Sequence, residues 1–504
     1  MNTKDPNFYR TMLAVTLLAS VIIKLAFTVF NPLSLFTEEA QYWLWSKNLD
    51  WNYYSKPLMI ALYNKASTFL LGDTEVAVRF NALLFTSAAV WLVFELSLYM
   101  FKKALYAFLA AAMLIVMPFF HLASLFHTTD SSLVFFWALG NYLIWRAIKE
   151  QKTSLWLWAG VATAFGILSK NVMVLIVLIV FLYLLIDQPK FLLKKDFYLF
   201  VLVSSLSFLP ILIWNINNDF VTFRHVGTLG GVAGGSGGFD WAAAPKYMGE
   251  YVGGQLAAIS LFFLPFLILG IKRWKKYRES ELLFIYLPVV LIWVLFLGVS
   301  VVKRVEINWP AFAYVPLPIA MAHALSHYVK WKRYASFAIG ISGLLLILIM
   351  YPAPLDALGF KKVLRPQKDP FYRTAGYQEL GSRVDFLIDS LGINNHFVFS
   401  DSYHIASELA FYMEGHPQTY NPNLGRRKNQ FDLWPGLKQF ENKGYQAIFV
   451  KLGEEPIAAV NEAFDKLIHE ETQYGEHRGE KVLTFKIQVF EGFQELEEMD
   501  LNAY

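Results

Sequence analysis

Residues 155–186 read LWLWAGVATAFGILSKNVMVLIVLIVFLYLLI, thirty-two positions whose only charge is Lys170. A run of about 20 apolar residues suffices to span a bilayer. The stretch therefore reads either as one long kinked helix or as two short ones, Leu155 to Ser169 and Val172 to Ile186, parted by Ser169, Lys170 and Asn171. The choice decides the fold, because merging the two inverts the sidedness of everything that follows.

Nine further apolar stretches flank these two: Thr11–Phe30, Val76–Met100, Ala104–Leu122, Ser131–Ile148, Phe197–Trp214, Tyr251–Ile271, Leu282–Val301, Ala311–Tyr328 and Ala335–Met350. With the N-terminus cytoplasmic, the two-helix reading places every Lys/Arg-rich connection inside. These connections hold Lys102 and Lys103; Arg146, Lys149 and Lys152; Lys190, Lys194 and Lys195; the group from Lys272 to Arg278; and Lys330, Lys332 and Arg333. The expectation is a polytopic α-helical membrane protein with about eleven transmembrane helices, the first a retained helix and not a removed signal peptide.

Composition agrees. The 504 residues are 56% hydrophobic and 17% charged, too apolar for an ordinary soluble chain. The net charge of +4 is scattered in short clusters, which gives no footprint for nucleic acid. With no cysteine there is no disulfide, thiolate metal site or catalytic thiol.

The expected organisation is a membrane domain, 1–351, with outside loops 31–75 and 215–250, and a soluble α/β domain, 352–504, on the outer, periplasmic side. Loop 31–75 mixes acids, Trp and Tyr as short interfacial helices do. Gly227 to Gly238 reads as a mobile loop or lid. In the tail, His396–Ser400 and Ala447–Val450 alternate with period two, as strands do.

Charged residues at or near membrane depth are costly, and here they gather on the outer side. The candidates are Glu38 and Glu39, Lys56 after Tyr53-Tyr54-Ser55, His127 and Asp130, Lys170, Arg224 and His225, and Lys303, Arg304 and Glu306. Each has a plain structural alternative: a solvated helix end for Glu38 and Glu39, an N-cap at Thr129 or Asp130, a snorkelling lysine at Lys56. Together, two acidic sites on consecutive outside loops with a lysine between them suggest a reaction at the outer face, an anion held by cations and a carboxylate as base. An ion-coupled transporter would instead place charges at midplane in broken helices.

Several pieces, in this order and at these topological positions, carry a family resemblance: Glu38-Glu39-Ala40-Gln41-Tyr42-Trp43-Leu44-Trp45, Tyr53-Tyr54-Ser55-Lys56-Pro57-Leu58, Gly72 to Arg79, Thr129-Asp130, Leu168-Ser169-Lys170, Trp214-Asn215, Gly253-Gly254-Gln255, Val305 to Pro310, and Glu408 to Tyr412. The chain resembles the lipid-linked-sugar glycosyltransferases of the type-C fold. Within them it is similar to bacterial members of the protein mannosyltransferase superfamily, including aminoarabinose transferases that modify lipid A. The resemblance implies an undecaprenyl-phosphate or other polyprenyl-phosphate sugar donor, inversion at the anomeric carbon, and an envelope acceptor, lipid A or another glycolipid. Protein O-glycosylation and lipid-linked glycan transport are the alternatives.

The resemblance further implies that Glu38 or its neighbour Glu39 is the catalytic carboxylate, where many relatives have aspartate, and that Asp130 positions the acceptor or a cation. Lys56 and Tyr53 match groups that hold the donor phosphate, with Lys303 and Arg304 as further cations; relatives usually carry two prolines after the lysine, where this chain has Pro57-Leu58. A divalent ion on the donor phosphate would have Glu38 and Asp130 as its nearest ligands, though no ligand spacing demands one. The implied location is the cytoplasmic membrane of a bacterium.

Overall fold

The computed structural model describes residues 5–31, 33–230 and 241–499. It divides into two compact units: one of 1–26, 56–60 and 79–351, the other of 27–55, 61–78 and 352–504.

The first unit is helical. All eleven apolar stretches lie in helical segments, but among the described residues length and composition qualify five helices to cross a membrane: Pro6–Phe30, Glu75–Phe101, Lys195–Asn217, Ser280–Val302 and Val329–Met350. The number rises to seven if each bent pair is one span. Ala104–Ile115 and Pro118–Leu125 meet at 66°, Ala244–Ile259 and Leu261–Tyr277 at 75°. Eleven spans would need the shorter apolar helices as well, among them Thr153–Ser169 and Asn171–Asp187. The chain is thus a multi-pass membrane protein.

The stretch 155–186 breaks where its charge lies. Helix Thr153–Ser169 ends on Lys170, whose backbone is extended (φ −156°, ψ 123°), and a 3-10 turn, Asn171–Val174, leads into Leu175–Asp187. Gly166 lets Met173 fold back beside this break, since a Cβ there would lie 2.6 Å from the Met173 Cγ. The lid expected at Gly227–Gly238 falls largely on residues outside those described; its first positions close helix Val221–Gly230.

The second unit carries a five-stranded sheet: β1 (His396–Phe399), β2 (Thr419–Tyr420), β3 (Gln446–Leu452), β4 (Phe464–His477) and β5 (Glu480–Phe493), in the order β2-β1-β3-β5-β4. β1 pairs in parallel with β2 and β3, whereas β5 runs antiparallel to β3 and β4. Val398, Ile448, Val450, Ile487 and Val489 bury one face against Leu380, Val384 and Leu409 of helices Tyr377–Ser390 and Tyr403–Tyr412. Phe397, Phe399, Phe449 and Phe490 bury the other. The hairpin between β4 and β5 turns on Arg478 (φ 52°) and Gly479 (φ 71°), two left-handed positions that match the twist of the strands.

Residues of loop 31–75 belong to this unit. Leu35, Ala40, Trp43 and Leu44 pack with Ala406, Ala410, Phe411 and Phe431. The Tyr412 hydroxyl donates to Glu75 Oε1 (2.9 Å) and accepts from the Leu35 N–H (2.7 Å). Loop and tail fold together through this shared apolar cluster.

Candidate active site

Helix Thr37–Lys47 carries both candidate carboxylates in its first turn, where the unpaired N–H groups and the helix dipole favour negative charge. Their roles separate. Glu39 is fully buried and its Oε2 accepts the Phe36 N–H at 2.8 Å, so it closes the helix start. Glu38 is half-buried. Burial pushes the Tyr403 phenol up to about 12, and the negative charge of Glu38 adds to the rise, which places that carboxylate in the field of a tail residue.

The helix is held rigidly. Trp43 meets Phe411 edge to face at 4.9 Å, and its indole N–H donates to Asp73 at 2.6 Å. Lys47 bridges to the same carboxylate at 2.8 Å. Burial alone would raise the Asp73 pKa, but these donors more than offset it and hold it below the usual carboxylate range.

Tyr53 stacks on Trp45, with centroids 4.5 Å apart and planes at 12°. Its hydroxyl accepts the Asp50 N–H and donates to the Trp45 carbonyl, both at 3.1 Å, and the ring is fully buried. Tyr53 therefore shapes the turn from within, its hydroxyl already engaged. The next residue, Tyr54, donates its backbone N–H to Gln430 Oε1 at 2.7 Å. Lys56, half-buried, follows two positions later in the other unit.

In the first unit Asp130 is the centre of a second cluster. Its Oδ1 lies 2.6 Å from Lys170 Nζ and its Oδ2 accepts from Asn308 Nδ2 at 2.8 Å. With side chains 7% and 15% exposed, Asp130 and Lys170 form a largely desolvated pair. The helix cap expected at Thr129 or Asp130 is Thr128 instead, whose hydroxyl accepts the Asp130 N–H; the three residues have similar capping chemistry, and the helix begins one position earlier. The Asp130 side chain is thereby left to the cluster.

Two more of the quoted pieces meet beside it. Gln255 donates to the Ile307 carbonyl (3.2 Å) and accepts from the Tyr314 hydroxyl (2.8 Å). Gly254 faces Ile307, where a Cβ would lie at 2.8 Å. The Gly253-Gly254-Gln255 and Val305–Pro310 pieces thus fix the segment that delivers Asn308 to Asp130.

The remaining candidates are dispersed. Lys303 Nζ donates to the Thr228 carbonyl at 2.8 Å. Arg304 is exposed and pairs with Glu250 at 3.5 Å. His127 is fully buried, and Arg79, also buried, lies over the Phe126 ring at 5.4 Å. Among the described residues no group of three His, Asp or Glu side chains is placed to hold a metal ion. Asp130, engaged by an ammonium and an amide, does not fit a divalent ion. Sequence reasoning missed Gln430 and Tyr403, tail residues with no motif around them.

Comparison with known proteins follows the same lines. Residues 55–214 match the family described as dolichyl-phosphate-mannose-protein mannosyltransferase. The lipid A galacturonosyltransferase RgtD of Rhizobium johnstonii is 26% identical over 404 residues, 78% of this chain and 82% of that protein. ArnT from Cupriavidus metallidurans bound to undecaprenyl phosphate superposes with a TM-score of 0.68 over 95% of this chain and 98% of its own, at 13% identity. Its apo state gives 0.65 over the same shares. The chain thus has the ArnT-like type-C glycosyltransferase fold and resembles, in sequence as in fold, the lipid-linked-sugar glycosyltransferases of the protein mannosyltransferase superfamily and their lipid A-modifying members.

Proposed function

We propose that this protein transfers a sugar from a polyprenyl-phosphate carrier, undecaprenyl phosphate in a bacterium, to lipid A or a related envelope glycolipid, with inversion at the anomeric carbon. The likeness to a lipid A galacturonosyltransferase over 78% of the chain carries this reading. The undecaprenyl phosphate bound in the ArnT structure supports the donor class. The reaction is placed at the outer face of the cytoplasmic membrane, with the N-terminus inside and residues 352–504 outside, on the strength of the Lys/Arg-rich inside connections.

An acceptor oxygen attacks C1 of the sugar, the C1–O bond to phosphate breaks, and the electron pair leaves with the polyprenyl phosphate. The charge gathering on that phosphate needs a cation, and Lys56 supplies it. Lys303 and Arg304 contribute at longer range, while Tyr53 keeps the turn before Lys56 in shape. A hydroxyl acceptor gives its proton to Glu38; an acceptor phosphate is already an anion, and Glu38 then orients it. Asp130, clamped by Lys170 and Asn308, is a positioning residue for the acceptor side.

Mass spectrometry of lipid A and total envelope glycans tests this in a deletion strain complemented with wild type, Glu38→Ala or Lys56→Ala. The expected result is loss of one sugar mass from lipid A, restored by wild type alone. The match to the protein mannosyltransferase description favours a second reading, protein O-glycosylation. Unchanged lipid A with loss of sugar from envelope proteins would establish that reading, and no glycan change anywhere would refute both.

A further inference from the structure

The second unit contains a cavity of about 590 Å³ between the segment 420–438 and the C-terminal stretch 495–499. Its size falls within the roughly 300–1,000 Å³ of small-molecule sites. Trp434 and Tyr420 supply aromatic faces, Asn423 and Glu498 amide and carboxylate groups, and Lys428 and Lys438 positive charge. We propose that this cavity is a saccharide-binding site that docks the sugar part of the acceptor glycolipid before transfer.

The chemistry of the wall selects the ligand class. Sugar hydroxyls donate and accept at once, so they satisfy the carboxylates of Glu495, Glu497 and Glu498 as well as neighbouring amides. The aromatic faces take the apolar C–H face of a pyranose ring. Lys438 is exposed and, among the described residues, its side chain makes no hydrogen bond or ion pair, leaving it ready for a phosphate or acidic substituent. The wall itself is preformed: Asn423 accepts the Met499 N–H (2.8 Å) on its carbonyl and donates its own N–H to Glu498 (3.0 Å), and Arg426 bridges to Asp432 at 2.8 Å.

The cavity is also connected to the donor-side loop. Its wall includes Phe431 and Asp432 of the 3-10 turn Gln430–Leu433. The same turn buries Phe431 against Trp43 and Leu44 of the Glu38 helix, and through Gln430 it holds the Tyr54 backbone two residues before Lys56. A saccharide seated against this turn would rigidify the elements that present Glu38 and the start of the lysine motif.

The choice of saccharide rests on the proposed acceptor, so binding is measured apart from transfer. The full-length protein in lipid nanodiscs is titrated calorimetrically with deacylated lipid A, the phosphorylated glucosamine disaccharide without acyl chains, and with deacylated core oligosaccharide. The expected result is saturable binding of at least one, weakened about tenfold or more by Trp434→Ala and by Lys438→Glu and less by Trp434→Phe. Lys438 is exposed, so its variant reports on the site even if Trp434→Ala perturbs packing. In the transfer assay both variants raise KM for lipid A, and the free disaccharide competes if lipid A itself occupies the site; competition by core oligosaccharide alone assigns the site to core sugars. Binding that depends on Trp434 and Lys438 without any transfer to lipid A would sustain the saccharide site and sink the proposed acceptor. Intact transfer with no saccharide binding, binding indifferent to both variants, or capture of peptides in place of sugars would overturn the inference.

Discussion

The side-chain carbonyl of Gln430 accepts a hydrogen bond from the backbone N–H of Tyr54 at 2.7 Å, joining the tail to a turn 376 positions earlier in the chain. Both groups are buried, Gln430 at 2% exposure and Tyr54 at 3%. An amide stranded in such a place costs about 1–3 kcal/mol. The contact is therefore a structural tie for the stretch that ends in Lys56.

Removing it has a defined consequence. Gln430→Met keeps the volume and deletes the acceptor, so KM for the polyprenyl-phosphate donor is expected to rise about tenfold as the turn loosens, with a smaller change in KM for the acceptor. Gln430→Glu retains an acceptor oxygen and should recover part of the loss. Steady-state kinetics with each substrate varied in turn checks this. Equal effects of both variants on both KM values would show that the tie does not act through the turn.

How far such features were legible depends on their range in sequence. The break at Ser169-Lys170-Asn171 was visible because one charge in an apolar run has few places to go, and strands β1 and β3 because buried strands alternate or run apolar. The β4–β5 hairpin, the longest pairing of the sheet, was not. In β4, FDKLIHEETQYGEH, Phe464 and Gly475 are buried and the other positions are half-buried or exposed, so it has no period-two apolar pattern; only the Arg478-Gly479 turn hints at it. In the site, Asp130 and Lys170 stood out as costly charges, yet their pairing over forty positions had no local signal. Gln430 had none either, since a glutamine in a turn gives no indication that its carbonyl serves a distant backbone.

The pair of Asp130 and Lys170 makes the next prediction. Breaking a buried pair from one side leaves an uncompensated charge and costs about 3–5 kcal/mol, whereas removing both charges costs far less. Lys170→Met alone is expected to lower the thermal midpoint by several degrees and abolish transfer. Lys170→Met with Asp130→Asn should regain most of the stability but not the activity, because Asn308 can still donate to the new amide oxygen while the carboxylate itself is gone. Thermal unfolding of the purified protein and the transfer assay, run as a double-mutant cycle, separate the two effects. Additive losses of stability would mean that the two side chains do not act as a pair.

Acid sensitivity of the second unit is expected to run through His404. Burial holds its imidazole down to about 4, and the charge of Arg373 adds to the effect. An unfolded histidine titrates near about 6.5, so on acidification the unfolded chain takes up the proton first. The stabilisation is complete above that unfolded value, is lost as the pH falls towards about 4, and changes no further below it. At about pH 5 the loss is on the order of 2 kcal/mol from this group. His404→Gln, which cannot titrate, should make the dependence of unfolding midpoint on pH shallower between about 6.5 and 4, leaving the slope contributed by carboxylates and by His396, which burial also lowers. Differential scanning fluorimetry across this range compares the two proteins directly. Parallel curves would mean that His404 takes up its proton equally in the folded and unfolded chain, and that the acid response of this unit lies with other groups such as Asp73 of the first loop, whose depressed pKa places its own loss at lower pH.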